Sequence, residues 1–366
     1  MTTVGERERR TQERVVVHFR DALDYSYLGN WTHREENSNI EESLLTDWLR
    51  RRGHTRKIIN RVLYELSKAK AISGSKNLYD ANREVYGLLR YGVKVQPGAG
   101  EQHITVWLID WESPEENDFA IAEEVTIAGE NPKRPDIVLY VNGIAFGVLE
   151  LKRSTVSVSE GIRQNLDNQK REFIQPFFST VQIIMAGNET EGLRYGVIET
   201  PEKYYLRWKE ASPDNPLLAE LTRICRKERL LEIIHDFIVF DAGIKKTCRH
   251  NQYFGVRAAQ ESVERREGGI IWHTQGSGKS LIMVWLAKWI REHVPGARVL
   301  LITDRTELDD QIEKVFLGVG EKIYRTKSGA DLISVLTKES EWLVCSLVHK
   351  FGRGDDLSDT DLETYI

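Results

Sequence analysis

The pattern of apolar and polar positions over Arg134–Arg153 predicts two strands and a turn. Ile137 to Val141 and Ile144 to Leu149 are apolar, β-branched runs, and Asn142-Gly143 between them suits the positive φ angles of a tight hairpin. Further strands are expected at 102–111, 119–127 and 181–187. A helical period runs through Val15, Val16, Phe19 and Leu23, which predicts a helix over 11–28. Two helices are expected within 40–70, one over 159–174 carrying Gln164 and Asn168 on one face, and two more at 216–225 and 227–238. Beyond a polar stretch with prolines, a short strand (Gly269–Trp272), a helix with the stripe Ile282, Leu286, Trp289 and Ile290, a strand at Val299 and a strand-turn unit at Trp342–Phe351 begin a second α/β series.

Alternation along a strand puts Glu150 and Lys152 on one face and Leu149 and Leu151 on the other. An acid from one strand, with an acid and a lysine from its neighbour, suits a metal-dependent phosphodiesterase. Two carboxylates, Asp136 and Glu150, hold Mg²⁺, and Lys152 orients the attacking water or offsets phosphoryl charge. The competing reading is a solvated strand end with an ordinary ion pair. Register constrains the catalytic reading: a regular two-residue loop sets Asp136 opposite Leu149, on the wrong face. Asp136 meets Glu150 only with a longer loop or a β-bulge, and such an irregularity is expected. Glu13 is either a further carboxylate near the metal or a first-turn acid favoured by the helix dipole.

Charge and cysteine content narrow the class. The chain has 366 residues and a net charge of −5, so a nucleic-acid surface has to be a local patch. The basic turn holding Arg50, Arg51, Arg52, His54, Arg56 and Lys57 is such a candidate, with Arg51 and Arg52 as DNA contacts; a solvated face is the alternative. Cys225, Cys248 and Cys345 match neither a zinc spacing nor a disulfide framework, which points to the cytoplasm. No apolar run is long enough to span a membrane.

The stretch 268–293 carries the second chemistry. A strand enters a loop running through Thr274, Gln275, Gly276, Ser277, Gly278, Lys279 and Ser280, and a helix follows, which is the context a phosphate-binding loop requires. Backbone N–H groups and the helix N-terminus cradle phosphates, Lys279 reaches the β/γ-phosphates and Ser280 holds Mg²⁺. His273 stands where the pattern has its first glycine. Upstream, Gln252 either reads an adenine edge or caps a core. No Asp-Glu strand end follows the loop; the late pair Asp355-Asp356 lies in a polar stretch.

A sheet with nuclease acids followed by a motor-type loop resembles the restriction (motor/endonuclease) subunit of type I restriction-modification enzymes. ANREVYGLLRYGVKV, VWLIDWESPEENDFA, RPDIVLYVNG, VLELKR and WHTQGSGKS carry the resemblance. It implies an α/β chain with a PD-(D/E)xK restriction-endonuclease-like domain over 1–200 and a helical linker over 201–248. The N-terminal part of a RecA-like P-loop helicase (superfamily 2) domain then runs over 249–366. It implies catalysis by Asp136, Glu150 and Lys152, with Gln164 matching a Q-x-x-x-Y element whose tyrosine is Asn168 here. Gln252 is the adenine-reading glutamine by the same likeness, and Thr303, Asp304 and Arg305 are a DNA-contacting segment. Mg²⁺ and ATP are the implied cofactors. Duplex DNA, a methyltransferase subunit and a specificity subunit are the implied partners, and the chain is expected to be a fragment ending inside the first motor lobe. A repair-type nuclease–helicase and a non-catalytic ATP- and DNA-binding module remain open on the residues alone.

Overall fold

The computed structural model describes residues 4–98, 100–210, 215–338 and 340–351, with side chains from residue 9 onward; Asp355 and Asp356 lie outside them. The chain divides into two compact units, one of Met1–Val239 with Gly243–His250, the other of Phe240–Ala242 with Asn251–Ile366.

In chain order the first unit contains α1 (Val4–Asp21), β1 (Ser26–Asn30), α2 (Glu42–Arg51), α3 (Arg56–Lys70), α4 (Leu78–Tyr91), β2 (Val93–Val95), β3 (Ile104–Val106) and β4 (Phe119–Glu123). There follow β5 (Ile137–Val141), β6 (Ile144–Leu151), α5 (Val158–Asn168), β7 (Ile183–Asn188), β8 (Gly192–Gly196), α6 (Pro216–Cys225) and α7 (Lys227–Asp236). Six strands form one mixed sheet in the order β1-β4-β5-β6-β7-β8, with β1/β4 and β6/β7 parallel. One face, bearing Val138, Tyr140, Val148 and Ile184, packs with Trp31, Leu78, Phe177 and Phe178. On the other, Met185 meets Cys225 of α6, and the Tyr25 hydroxyl donates to the Cys225 carbonyl at 2.8 Å.

Several expected elements change. The first helix stops at Asp21 rather than running to 28, because Asp24 takes a left-handed φ of 55° and the chain turns into β1. That strand's burial does not alternate, so its sequence carries no period-2 signal. Residues 78–91 form α4, opened by a capping box between Asn77 and Asp80. The strand expected over 102–111 is confined to β3, which pairs with β2. The expected helix to 174 ends at Asn168 and gives way to turns and a short 3₁₀ segment at Gln175–Ser179. The helices placed in a linker are instead built into the first unit. Leu193 N–H donates to Glu220 at 2.6 Å, and the Tyr86 hydroxyl donates to the Ile234 carbonyl at 3.1 Å.

Two short strands, β9 (Val239–Asp241) and β10 (Ile244–Lys246), carry the chain toward its second unit. That unit contains α8 (His250–Glu264), α9 (Lys279–His293), β11 (Val299–Thr303), α10 (Thr306–Gly318), β12 (Tyr324–Arg325), α11 (Gly329–Lys338) and β13 (Leu343–Leu347). Its sheet is parallel, in the order β11-β13-β12. The strand expected at Gly269–Trp272 is not built. It has no partner ladder among the described residues, and Ile270 and Trp272 are 90% and 89% exposed. An apolar run of β propensity is no strand until a neighbour takes its backbone hydrogen bonds.

The β5–β6 hairpin is the element that positions the site. Asn142 and Gly143 have φ of 52° and 80°, as the tight turn requires. The buried Asn142 amide donates to the Leu108 carbonyl and to Asn117 Oδ1, both at 2.8 Å, which pins the turn. Val141 pairs with Ile144 and Tyr140 with Ala145, but Leu139 pairs with Gly147, so Phe146 is an extra residue in β6. Its carbonyl accepts from Gln182 N–H at 2.7 Å.

The turn leaves no room for a side chain at 143: a Cβ there would lie 2.8 Å from both the Glu41 carbonyl oxygen and Leu44 Cβ. Gly143→Ala is therefore expected to lower unfolding free energy by roughly 2–4 kcal/mol, from positive-φ strain plus overpacking. Urea unfolding checks it; an unchanged midpoint would mean that the turn is not under this constraint.

Candidate active site

Downstream of the bulge the ladder pairs Val138 with Val148 and Ile137 with Leu149. One further step sets Asp136 across from Glu150, on the face that also bears Val138 and Val148. The irregularity expected from the sequence is thus present, as a bulge rather than a longer loop. Asp136 Oδ2 accepts from Leu151 N–H at 2.6 Å, which fixes the carboxyl against the end of β6. The two carboxyl groups stand close enough for each to shift the other's titration.

Burial dominates their electrostatics. It pushes the Asp136 carboxyl up to about 6, against the opposing pull of the Leu151 N–H and the Lys152 charge. Glu150 is wholly buried and is driven well above the carboxylate range, first by burial and then by the charge of Asp136. Lys152 Nζ donates to Gln164 Oε1 at 2.8 Å, so the sequence-predicted Gln164 on α5 sits against the amine. One turn on, Asn168 Nδ2 donates to Glu150 Oε1 at 3.4 Å. The sequence already put Gln164 and Asn168 on one helix face, and that spacing brings both over β6. Glu124 also raises both acids; it is ion-paired to Arg134 at 2.6 Å.

The donor set fits a hard divalent cation. Glu150 Oε2 is buried without a hydrogen-bond partner, beside the half-buried carboxyl of Asp136, whose charge raises it. A cation between them relieves the like-charge repulsion, and oxygen ligands are what Mg²⁺ takes. Among the described residues no group of three or more Asp, Glu, His or Cys side chains is arranged to hold a metal. Two carboxylates are the protein's share, and water or substrate oxygens complete such a shell.

The other sequence-predicted residues fall elsewhere. Glu13 is not brought to the acid pair. It is exposed, ion-paired to Arg9 at 3.4 Å, and lines an open groove with Arg10, Arg14, Val17 and His18. Arg51 is ion-paired to Asp118, and Arg52 reaches Asp110 at 2.6 Å and Glu116 at 3.7 Å, so each exposed guanidinium already has an acid beside it. Arg305 lies 3.6 Å from Asp304, and both are exposed.

In the second unit the loop runs into α9 without the strand expected before it. Gly276 and Gly278 have φ of 75° and 83°, and Lys279 Nζ donates to the carbonyls of His273 and Thr274 at 3.3 and 3.2 Å. Thr274, Gln275, Gly276 and Lys279 are exposed, and Ser280 is half-buried at the first turn of α9. Gln252 is buried, and Nε2 donates to the carbonyls of Ser277 and Gly278, both at 3.0 Å. The amide braces the loop from behind. A Cβ at Gly278 would stand 2.4 Å from that amide nitrogen, which is why glycine is needed there.

The family described as "Type I restriction enzyme R protein N terminus" matches residues 5–203. The chain belongs to this family. Relatives named type I restriction enzyme endonuclease subunits align over about 70% of its length. The putative type I restriction enzyme MjaIXP endonuclease subunit of Methanocaldococcus jannaschii is 28% identical over 309 residues, 73% of this chain and 30% of that protein. The type I restriction enzyme HindI endonuclease subunit of Haemophilus influenzae is 30% identical over 290 residues, 71% of this chain and 26% of that protein. The SsaAORF53P endonuclease subunit of Staphylococcus saprophyticus is 24% identical over 68% of this chain and 28% of its own length. The chain thus spans under a third of the curated relatives it matches. Residues 251–364 match the SWI2/SNF2 ATPase family. No helix among the described residues is long and apolar enough to cross a membrane.

Because its carboxyl is held up at about 6 from a usual 3.8, Asp136 contributes stability that is full below 3.8 and is lost as pH rises through 6. In metal-free buffer, Asp136→Asn should therefore be the more stable protein at neutral pH, by on the order of 2–3 kcal/mol, with the gap closing toward pH 4. Urea unfolding in EDTA at several pH values checks this; a gap independent of pH would contradict it.

Proposed function

We propose that this chain carries the nuclease centre of a type I restriction subunit, a PD-(D/E)xK-type site cutting duplex DNA, with Asp136, Glu150 and Lys152 as its working residues. The observation that carries the reading is the Phe146 bulge, which sets Asp136 across from Glu150 with Lys152 on the same face. Asp136 and Glu150 are the residues that would hold Mg²⁺. When bound, the ion supplies Lewis-acid activation of a phosphoryl oxygen and a lowered water pKa. The chain's own part is positioning. Leu151 N–H fixes the Asp136 carboxyl, Asn168 steadies Glu150, and Gln164 holds the Lys152 amine, 2.8 Å away, where its charge offsets that developing on phosphorus-bound oxygens.

The second unit is proposed to bind ATP at Thr274–Ser280, with Lys279 on the phosphates, Ser280 toward the accompanying Mg²⁺ and Gln252 as the loop's brace. In the whole subunit, ATP hydrolysis would drive movement along DNA, in company with methyltransferase and specificity subunits. The coupling of a nuclease-type hairpin to a phosphate loop in one chain favours this over a repair-type nuclease–helicase only through the family it belongs to.

In the assembled full-length enzyme, Asp136→Ala and Lys152→Ala should each lower DNA cleavage by roughly 10²-fold or more while leaving ATP hydrolysis intact. Agarose-gel cleavage assays beside a phosphate-release assay measure both; cleavage at wild-type rate in either variant would sink the assignment.

A further inference from the structure

Helix α3 has one apolar face, built from Ile59, Val62, Leu66 and Ala69, all buried. At about 100° per residue, Lys57, Arg61, Tyr64 and Lys68 fall within an arc of about 60° on the opposite side. Lys57, Tyr64 and Lys68 are exposed and Arg61 is half-buried, and the Tyr64 ring stands 67% exposed between cations. At a rise of about 1.5 Å per residue the stripe is about 16 Å long, close to the axial rise of five base pairs.

These cations share one face and lack counter-charge. Several arginines of the first unit do find an acid: Arg14 with Glu189 at 2.8 Å, Arg52 with Asp110 at 2.6 Å, Arg163 with Glu202 at 3.0 Å. Among the described residues Lys57, Arg61 and Lys68 make no ion pair, although Glu65 lies on the same helix. The helix also opens on Arg56 and Lys57 with no acid in its first turn and no side-chain cap, where cations oppose the helix dipole. A chain of net charge −5 keeps this concentration of unpaired positive charge against its local energetic interest.

We propose that the outer face of α3 is a docking surface for the phosphate backbone of duplex DNA, with Lys57, Arg61 and Lys68 as phosphate contacts and Tyr64 packing on sugar or donating to a phosphate oxygen. It replaces the neighbouring turn, whose Arg51 and Arg52 each have an acid beside them. The choice of polyanion rests on the nuclease reading; the charge pattern does not.

Fluorescence anisotropy of a labelled 30-base-pair duplex, titrated with this chain in EDTA across a KCl series, tests it without cleavage. The Lys57→Ala/Arg61→Ala/Lys68→Ala variant should lose affinity and flatten the slope of log affinity against log salt by about 2–3, near 0.9 per phosphate contact. Its thermal midpoint should stay at the wild-type value, and Lys57→Arg/Lys68→Arg should keep the wild-type slope. An unchanged slope in the triple alanine variant overturns the proposal. So does an equal loss in Arg163→Ala/Lys170→Ala, whose cations are already paired to acids. Asp136→Asn separates the two readings. Binding with the full salt slope by a full-length enzyme that does not need Asp136 for cleavage leaves the docking surface standing and removes the nuclease assignment; cleavage that needs Asp136 with no dependence on α3 does the reverse.

Discussion

One extra residue of backbone, Phe146, decides where two carboxyl groups stand. A strand with period two turns every side chain over when its register slips by one. Without the bulge the tight Asn142-Gly143 turn would put Asp136 opposite Leu149, with the acid on one face and Glu150 on the other. With it, the ladder beyond Leu139 is shifted, and both acids face the side covered by α5. The turn cannot relax to undo this. Gly143 is hemmed in by the Glu41 carbonyl and Leu44, and the Asn142 side chain is tied to Leu108 and Asn117. Strain at neither place is needed; ordinary packing and hydrogen bonding hold the register.

The charge arrangement follows from that geometry. A wholly buried carboxyl beside a half-buried one is a net liability for the fold unless it is protonated or meets a cation. Structure alone gives no reason to keep them: an apolar pair at 136 and 150 would complete the same face. Nor is Lys152 a simple counter-ion, since its amine is accepted by Gln164. An acid pair, a lysine on the same face and a half-polar helix above them form a site that stability does not require. Family membership agrees with that inference, since the relatives bear the name of endonuclease subunits.

Much of this was readable before any coordinates, for a physical reason. The hairpin at 136–152 and the loop at 274–280 are local: turn chemistry, alternation and glycine requirements lie within about twenty residues of one another. The need for a bulge followed from counting residues across the turn. What escaped was non-local. β1 is an edge strand whose partner lies about ninety residues away and whose side chains show no alternation. The fate of Ile270 and Trp272 depends on a neighbouring strand that the run itself cannot specify. For Gln252 the sequence left two partners open, because an amide suits an adenine edge and a backbone carbonyl equally well; the fold shows the carbonyls of Ser277 and Gly278. Arg51 and Arg52 looked like free charge because Asp118 and Asp110, which stand beside them, are remote in sequence.

The central claim is that Asp136 and Glu150 act together on one cation. A crystal of this chain soaked in Mn²⁺, with anomalous data collected near the manganese edge, tests it most directly. The account predicts a single strong peak within coordination distance of both carboxyl groups, lost in Asp136→Asn. Saturating Mn²⁺ with no peak there, or a peak held by other acids alone, would contradict it.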